Sequence, residues 1–131
     1  MVTFALQNPN TGTDEEQFER IEDTDRDAIL DRATEAQRSW QETSIDQRAD
    51  VLRAVADLYE QHKDRLIDYM GREMGKLRPW GAAELDIVVG IYRWYADNAH
   101  QLLAPEELPA QGADRSYVVK RPLGVILGIM P

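Results

Sequence analysis

Apolar positions recur at helical spacing through four successive stretches of this chain and then give way to strand-like runs. Ala28, Ala33, Ala36 and Trp40 fall on one face of a first helix predicted over about 25–40, with Thr24 and Asp27 as its N-cap and first-turn acid. Ser44 with Gln47 forms a second capping box. Ile45, Ala49, Leu52, Val55, Ala56 and Tyr59 follow at i, i+4, i+7 spacing, which predicts a helix over about 45–61. A third, over about 63–74, presents Leu66, Ile67, Met70 and Met74 and stops at Gly75, a residue suited to the left-handed position after a helix. These three are expected to pack antiparallel or nearly so. The fourth starts at Pro79 and meets no breaker before Pro105 except Gly81 and Gly90, giving a helix over about 79–103. Its length of about 37 Å matches the diameter of roughly 36 Å of a compact globule of this size. Its middle (Leu85, Ile87, Val88, Val89, Ile91, Tyr92, Trp94, Tyr95) is apolar over more than half its circumference, so it is expected between two layers.

The flanks read differently. Asn8-Pro9-Asn10-Thr11-Gly12 is dense in bend-forming residues, and residues 18–22 alternate enough for a short edge strand. A polar loop with two prolines over 104–114 leads to strands predicted over about 115–121 and 124–130, separated by a bend at Pro122-Leu123-Gly124. The last run, Val125 to Met130, lacks polar alternation. Both of its faces want cover, as in the central strand of a parallel sheet. The chain offers too few strands to supply that cover. The expected fold class is therefore α/β, four helices followed by two strands, incomplete as a domain.

Composition narrows the chemistry. The 131 residues contain no cysteine, 15 Lys+Arg against 24 Asp+Glu, and a net charge of −9. The length suits one domain, and 43% hydrophobic residues suffice for a core. Disulfides, cysteine-ligated metals and a cysteine nucleophile within this sequence are excluded. The acidic balance argues against nucleic acid, whose phosphates would be repelled. With no long apolar span and no signal peptide, a soluble, cytoplasmic protein without membrane association is expected. Twelve arginines against three lysines on an acid-rich chain suit a salt-rich cell interior, although compositional bias explains the same figures. No metal-ligand spacing links His62 and His100, and Asp14-Glu15-Glu16 and Glu106-Glu107 read as solvated loop acids. Trp40, Trp80 and Trp94 read as core. There is no phosphate-loop lysine motif, no G-x-G-x-x-G and no G-x-S-x-G. Two stretches stand out: Glu73-Met74-Gly75-Lys76 at a helix end, and the apolar segment ending Ile129-Met130-Pro131. The second lies where α/β proteins place ligands, at the end of a buried strand.

Asn8-Pro9-x-Thr11-Gly12, Glu73-Met74-Gly75-Lys76, Arg93-Trp94-Tyr95-Ala96 and Pro122-Leu123-Gly124-Val125 running into Ile129-Met130-Pro131 occur in the order and approximate spacing of the N-terminal part of the aldehyde dehydrogenase superfamily. The whole chain resembles that part, and most closely the succinate-semialdehyde dehydrogenase branch. The resemblance implies that residues 1–131 are the N-terminal portion of an NAD(P)-binding, Rossmann-like domain, with the four helices covering its sheet. It places the strand near Val118 and Val119 by an oligomerisation hairpin, within a homo-oligomer. It also implies that Ile129, Met130 and Pro131 lie against the nicotinamide end of NAD or NADP, mostly through backbone.

The same resemblance implies what this stretch lacks. In the family a Trp-Asn pair follows the proline, and the nucleophilic cysteine, the glutamate base and the glycine-rich cofactor turn come later. Family chemistry begins with thiolate attack on an aldehyde, followed by hydride transfer and thioester hydrolysis. A cysteine-free chain is expected to be inactive alone and to contribute no catalytic residue to the oxidation of succinate semialdehyde. The alternative expectations are a truncated, non-catalytic interaction subunit and a self-contained four-helix module ending in a hairpin.

Overall fold

The computed structural model describes residues 3–110, 112 and 114–129. Its helices begin and end largely where local chemistry directs. The Ser44 hydroxyl accepts from the Gln47 N–H at 3.1 Å, while the Gln47 side chain accepts from the Ser44 N–H at 2.9 Å. That reciprocal box starts α2 (Ile45–Gln61). Helix α3 (Lys63–Met74) ends at Gly75, whose φ of 70° is left-handed and open to glycine at little cost. Helix α4 (Arg78–Leu103) carries Pro79 in its first turn and runs for 26 residues. Helix α1 (Asp23–Trp40) starts one residue before Thr24. Its N-cap is Glu22, with no side-chain capping bond, so Thr24 lies inside the helix rather than at its cap.

The core is small and sits where α4 meets α2 and α3. Its buried apolar members are Ala49 and Ala56 of α2, Ile67 of α3, and Leu85, Val89 and Ala96 of α4. Gly81 of α4 is also buried, and a Cβ there would sit 3.3 Å from the Met70 Sδ and 3.5 Å from Ile67. The missing side chain lets α3 and α4 approach. Polar pairs on the rim record the direction of α2 against α4: Asp46 with His100, Arg53 with Asp97, and Asp57 and Glu60 with Arg93. As one partner's number rises the other's falls, so the helices are antiparallel. These pairs are exposed and contribute little to stability, but they fix register.

Strand pairing departs from expectation in three places. Residues 3–19 form a hairpin, β1 (Thr3–Asn8) against β2 (Thr13–Glu19), rather than a single edge strand near 18–22. Its turn is closed by the Thr11 and Gly12 N–H groups on the Asn8 carbonyl at 3.2 and 2.7 Å. Charged, non-alternating Asp14, Glu15 and Glu16 hid β2, which is exposed throughout. Inside the expected polar loop, β3 (Glu106–Leu108) pairs antiparallel with β4 (Ser116–Val118), so the strand expected over 115–121 is reduced to three residues. Among the described residues, 124–129 join no ladder. A strand requires a neighbour to bond with, and none here lies alongside.

Two packing expectations also change. Helix α1 buries no residue, and no other helix or strand packs closely on it, so the expected packing of the first three helices does not include it. Helix α4 is covered on one face only. Trp80, Ile87, Ile91 and Trp94 remain exposed on the other, and Trp40 on α1 is exposed as well, so none of the three tryptophans is core here.

Candidate functional site

Two of the motif stretches, more than 60 residues apart in sequence, meet in space. Asn8 is the one buried polar residue among the described residues, at 7% exposure, and its bonds organise the hairpin turn. Its Oδ1 accepts from the Asn10 N–H at 2.9 Å and its Nδ2 donates to Glu15 Oε1 at 2.7 Å. The other oxygen of Glu15 receives Arg72 Nε of α3 at 2.6 Å. Asn10 Nδ2 donates to the Gly71 carbonyl at 3.0 Å. Gly75 closes the junction: a Cβ there would stand 3.1 Å from Pro9 Cγ, so the left-handed glycine also provides clearance. An open cleft of about 650 Å³ lies beside this junction, bordered by Asn10, Asp68, Arg72, Gly75 and Arg78.

Electrostatics follow from these bonds. The Asn8 amide, and after it the Arg72 guanidinium, hold the Glu15 carboxyl below its ordinary value of 4.5. Glu15, expected to be a solvated loop acid, is instead the bridge between β2 and α3. Its signal in the sequence is faint, because no local pattern distinguishes it from Asp14 and Glu16. Of the other cations lining the cleft, Lys76 pairs with Glu84 and Arg78 with Asp68 and Asp64, while Arg65 donates to the Tyr69 hydroxyl. The geometry is that of a clamp between hairpin and helix.

The third motif lies on α4. Arg93 grips both oxygens of Glu60, at 3.0 and 2.7 Å, and adds Asp57 at 2.9 Å, bonds that raise its pKa further. Ala96 is buried, and its carbonyl accepts from Arg53 at 3.3 Å. Trp94, on the open side of the helix, meets Tyr95 edge to face at 5.1 Å. On the other side Tyr92 meets Tyr59 at 5.7 Å, and burial pushes its hydroxyl pKa up. This motif therefore locks α2 to α4.

The fourth motif, with the expected cofactor-contacting residues, is the least enclosed. Gly124 has a φ of 99°, which makes the bend expected after Pro122. Gly124 and Val125 then lie beside Ala33, Ala36 and Trp40 of α1. Beyond them Leu127 and Ile129 are 83% and 86% exposed. Ile129 stands exposed and joins no strand; Met130 and Pro131 lie outside the described residues. Among the described residues, no group of three or more His, Asp or Glu side chains is placed to hold a metal ion. No helix of the described residues is long and apolar enough to cross a membrane.

Known proteins share both the sequence and the fold. The chain is 32% identical over 128 residues to succinate-semialdehyde dehydrogenase [NADP(+)] of Deinococcus radiodurans, covering 98% of this chain and 27% of that protein. It is 39% identical over 130 residues to succinate-semialdehyde dehydrogenase [NADP(+)] 1 of Mycobacterium tuberculosis, covering 98% of this chain and 28% of that protein. The crystal structure of succinic semialdehyde dehydrogenase from Streptococcus pyogenes, in complex with NADP+, superposes with a TM-score of 0.83 at 24% identity over 90% of this chain and 26% of that one, a likeness of fold. The chain thus spans little more than a quarter of the length of these relatives. The profile of the aldehyde dehydrogenase family matches residues 2–131, and the chain belongs to that family.

Proposed function

We propose that this chain is the N-terminal portion of an NAD(P)-dependent aldehyde dehydrogenase that oxidises succinate semialdehyde to the dicarboxylic acid. The observation that carries the reading is the match over 2–131 together with relatives that are themselves succinate-semialdehyde dehydrogenases at 32–39% identity. In this reading α2, α3 and α4 form part of the cover of the cofactor-domain sheet, and the exposed stripe of Trp80, Ile87, Ile91 and Trp94 faces that sheet.

A dinucleotide fits the residues in hand only in part. The stretch 124–129 is apolar and open, and its backbone groups join no ladder among the described residues, which suits contact through main chain. The sequence holds no glycine-rich turn for the diphosphate. Ile129, Met130 and Pro131 are accordingly assigned the nicotinamide end alone. The cofactor accepts the hydride. This chain supplies a surface for it and no group that attacks the aldehyde, since there is no cysteine to act as nucleophile.

The pure 131-residue chain is expected to show no reduction of NADP+ with succinate semialdehyde, and turnover above the blank would overturn that part of the reading. The coding sequence is expected to continue from Pro131 into Trp-Asn and later into a cysteine and a glutamate. The longer polypeptide should then oxidise succinate semialdehyde with NADP+ or NAD+. A stop codon directly after Pro131 in a well-expressed gene would favour the second reading, a non-catalytic interaction subunit, for which the open apolar stretch 123–129 is the motivating observation.

A further inference from the structure

Charge is distributed very unevenly over this fold. Residues 14–38 contain ten carboxylates and four arginines, two thirds of the net charge in under a fifth of the chain. On α1 the acids Asp23, Asp27, Asp31 and Glu35 follow one another at i, i+4 spacing, so they form one continuous ridge. Side chains at that spacing on a helix lie about 5–6 Å apart at Cβ, and like charges there repel. The arginines of α1 leave the middle of the ridge uncompensated: Arg26 pairs with Asp23 and Asp27, and Arg38 with Glu35, while Arg32 forms no ion pair among the described residues. Asp31 has no ion-pair partner among the described residues.

The surroundings bring little opposing charge. Strand β1 carries no charged residue, and α3 brings Arg72 to Glu15 alone. Lys120 and Arg121 stand beyond the far end of α1, beside Gln41 and Arg48. Packing does not compensate, because α1 buries nothing. The helix bundle is the reverse case, with acids and bases of α2, α3 and α4 facing each other across helix boundaries.

From this contrast we propose that the acidic ridge makes α1 a salt-requiring element, consolidated by ionic strength near 1 M, in a fold whose bundle needs no such help. The Debye length sets the threshold. At 0.1 M it is about 10 Å, longer than the spacing along the ridge, whereas at 1 M it is about 3 Å, shorter than that spacing. Ordinary ionic strength therefore leaves the repulsion in force, and molar salt removes it.

Hydrogen exchange on the full 131-residue chain, read helix by helix between 0.1 and 1 M KCl, tests this. Amide protection within Asp23–Trp40 is expected to rise roughly threefold, the effect of the two like-charge i, i+4 steps that meet at Asp31, with no parallel rise in α2 or α4. The double variant Asp31→Asn, Glu35→Gln removes two steps of the ridge with little change in helix propensity. It should be better protected at 0.1 M and lose most of the salt response, whereas Glu106→Gln should keep all of it. Flat or falling α1 protection overturns the proposal. So does a rise shared equally by all helices and undiminished in the double variant, which would mark a general salting-out effect.

Discussion

The α2–α3–α4 bundle and the α1 helix come from stretches of similar length and periodicity, yet one is held together and the other is nearly free. The bundle has a buried apolar seam, a glycine at the approach of α3 to α4, and ion pairs joining α4 to both α2 and α3. Helix α1 has alanines on one face and an acidic ridge, with no buried residue and no helix or strand packed closely on it. A helical pattern in sequence thus fixes that a helix forms but not that it is anchored. Anchoring needs a complementary face at hand. Alanine buries little area when it finds one, so a face of Ala28, Ala33 and Ala36 is a weak claim on any partner.

Substitutions that should break this contrast differ in size. Leu85→Ala removes a side chain that is 3% exposed at the centre of the seam, and should cost about 2–5 kcal/mol in urea unfolding. Gly75→Ala forces a Cβ onto a left-handed residue and to within 3.1 Å of Pro9, and should cost about 1–2 kcal/mol, with loosening of the hairpin visible by exchange at Asn10. Arg93→Ala releases Glu60 and Asp57. It should lower the melting temperature less than Leu85→Ala, by an amount that shrinks in molar salt as the lost pair is screened. Leu30→Ala on α1, at 52% exposure, should stay within about 0.5 kcal/mol of the parent. If Leu30→Ala proved as damaging as Leu85→Ala, the contrast between the two regions would be wrong.

Acid sharpens the comparison at the hairpin junction. The folded chain holds the Glu15 carboxyl below its ordinary value, so its contribution is fully present above pH 4.5 and is lost as pH falls through the lower, folded value. Glu15→Gln should therefore be less stable than the parent near neutrality, and the difference should close in that acid window. A melting-temperature profile of the two chains checks this. A gap that persisted unchanged at the lowest pH would remove Glu15 from the role of bridge.

The helices were legible because their signals are local. Ser44 with Gln47, Gly75 and Pro79 act within one turn of themselves, and the observed bounds follow those marks. The hairpins were legible only in part. Glu106 and Glu107 look like loop acids until Tyr117 and Val118 lie opposite them, and Glu15 looks like its neighbours until Arg72 arrives from α3. The tryptophans misled for the same reason: an apolar side chain at helical spacing marks a face to be covered, and the sequence does not say by what.

By itself, then, the sequence determined the family, the four helices, the Ser44 cap and the Gly75 stop, and the absence of a cysteine nucleophile from this stretch. These depend on residue identity and on interactions spanning a few positions. Only the tertiary structure decided that Asn8, Glu15, Arg72 and Gly75 form one junction, that α2 and α4 share the core while α1 stands apart, and that residues 124–129 lie open beside it. Each of those depends on which distant surface happens to be opposite, and burial and hydrogen bonding are properties of the pair rather than of either partner.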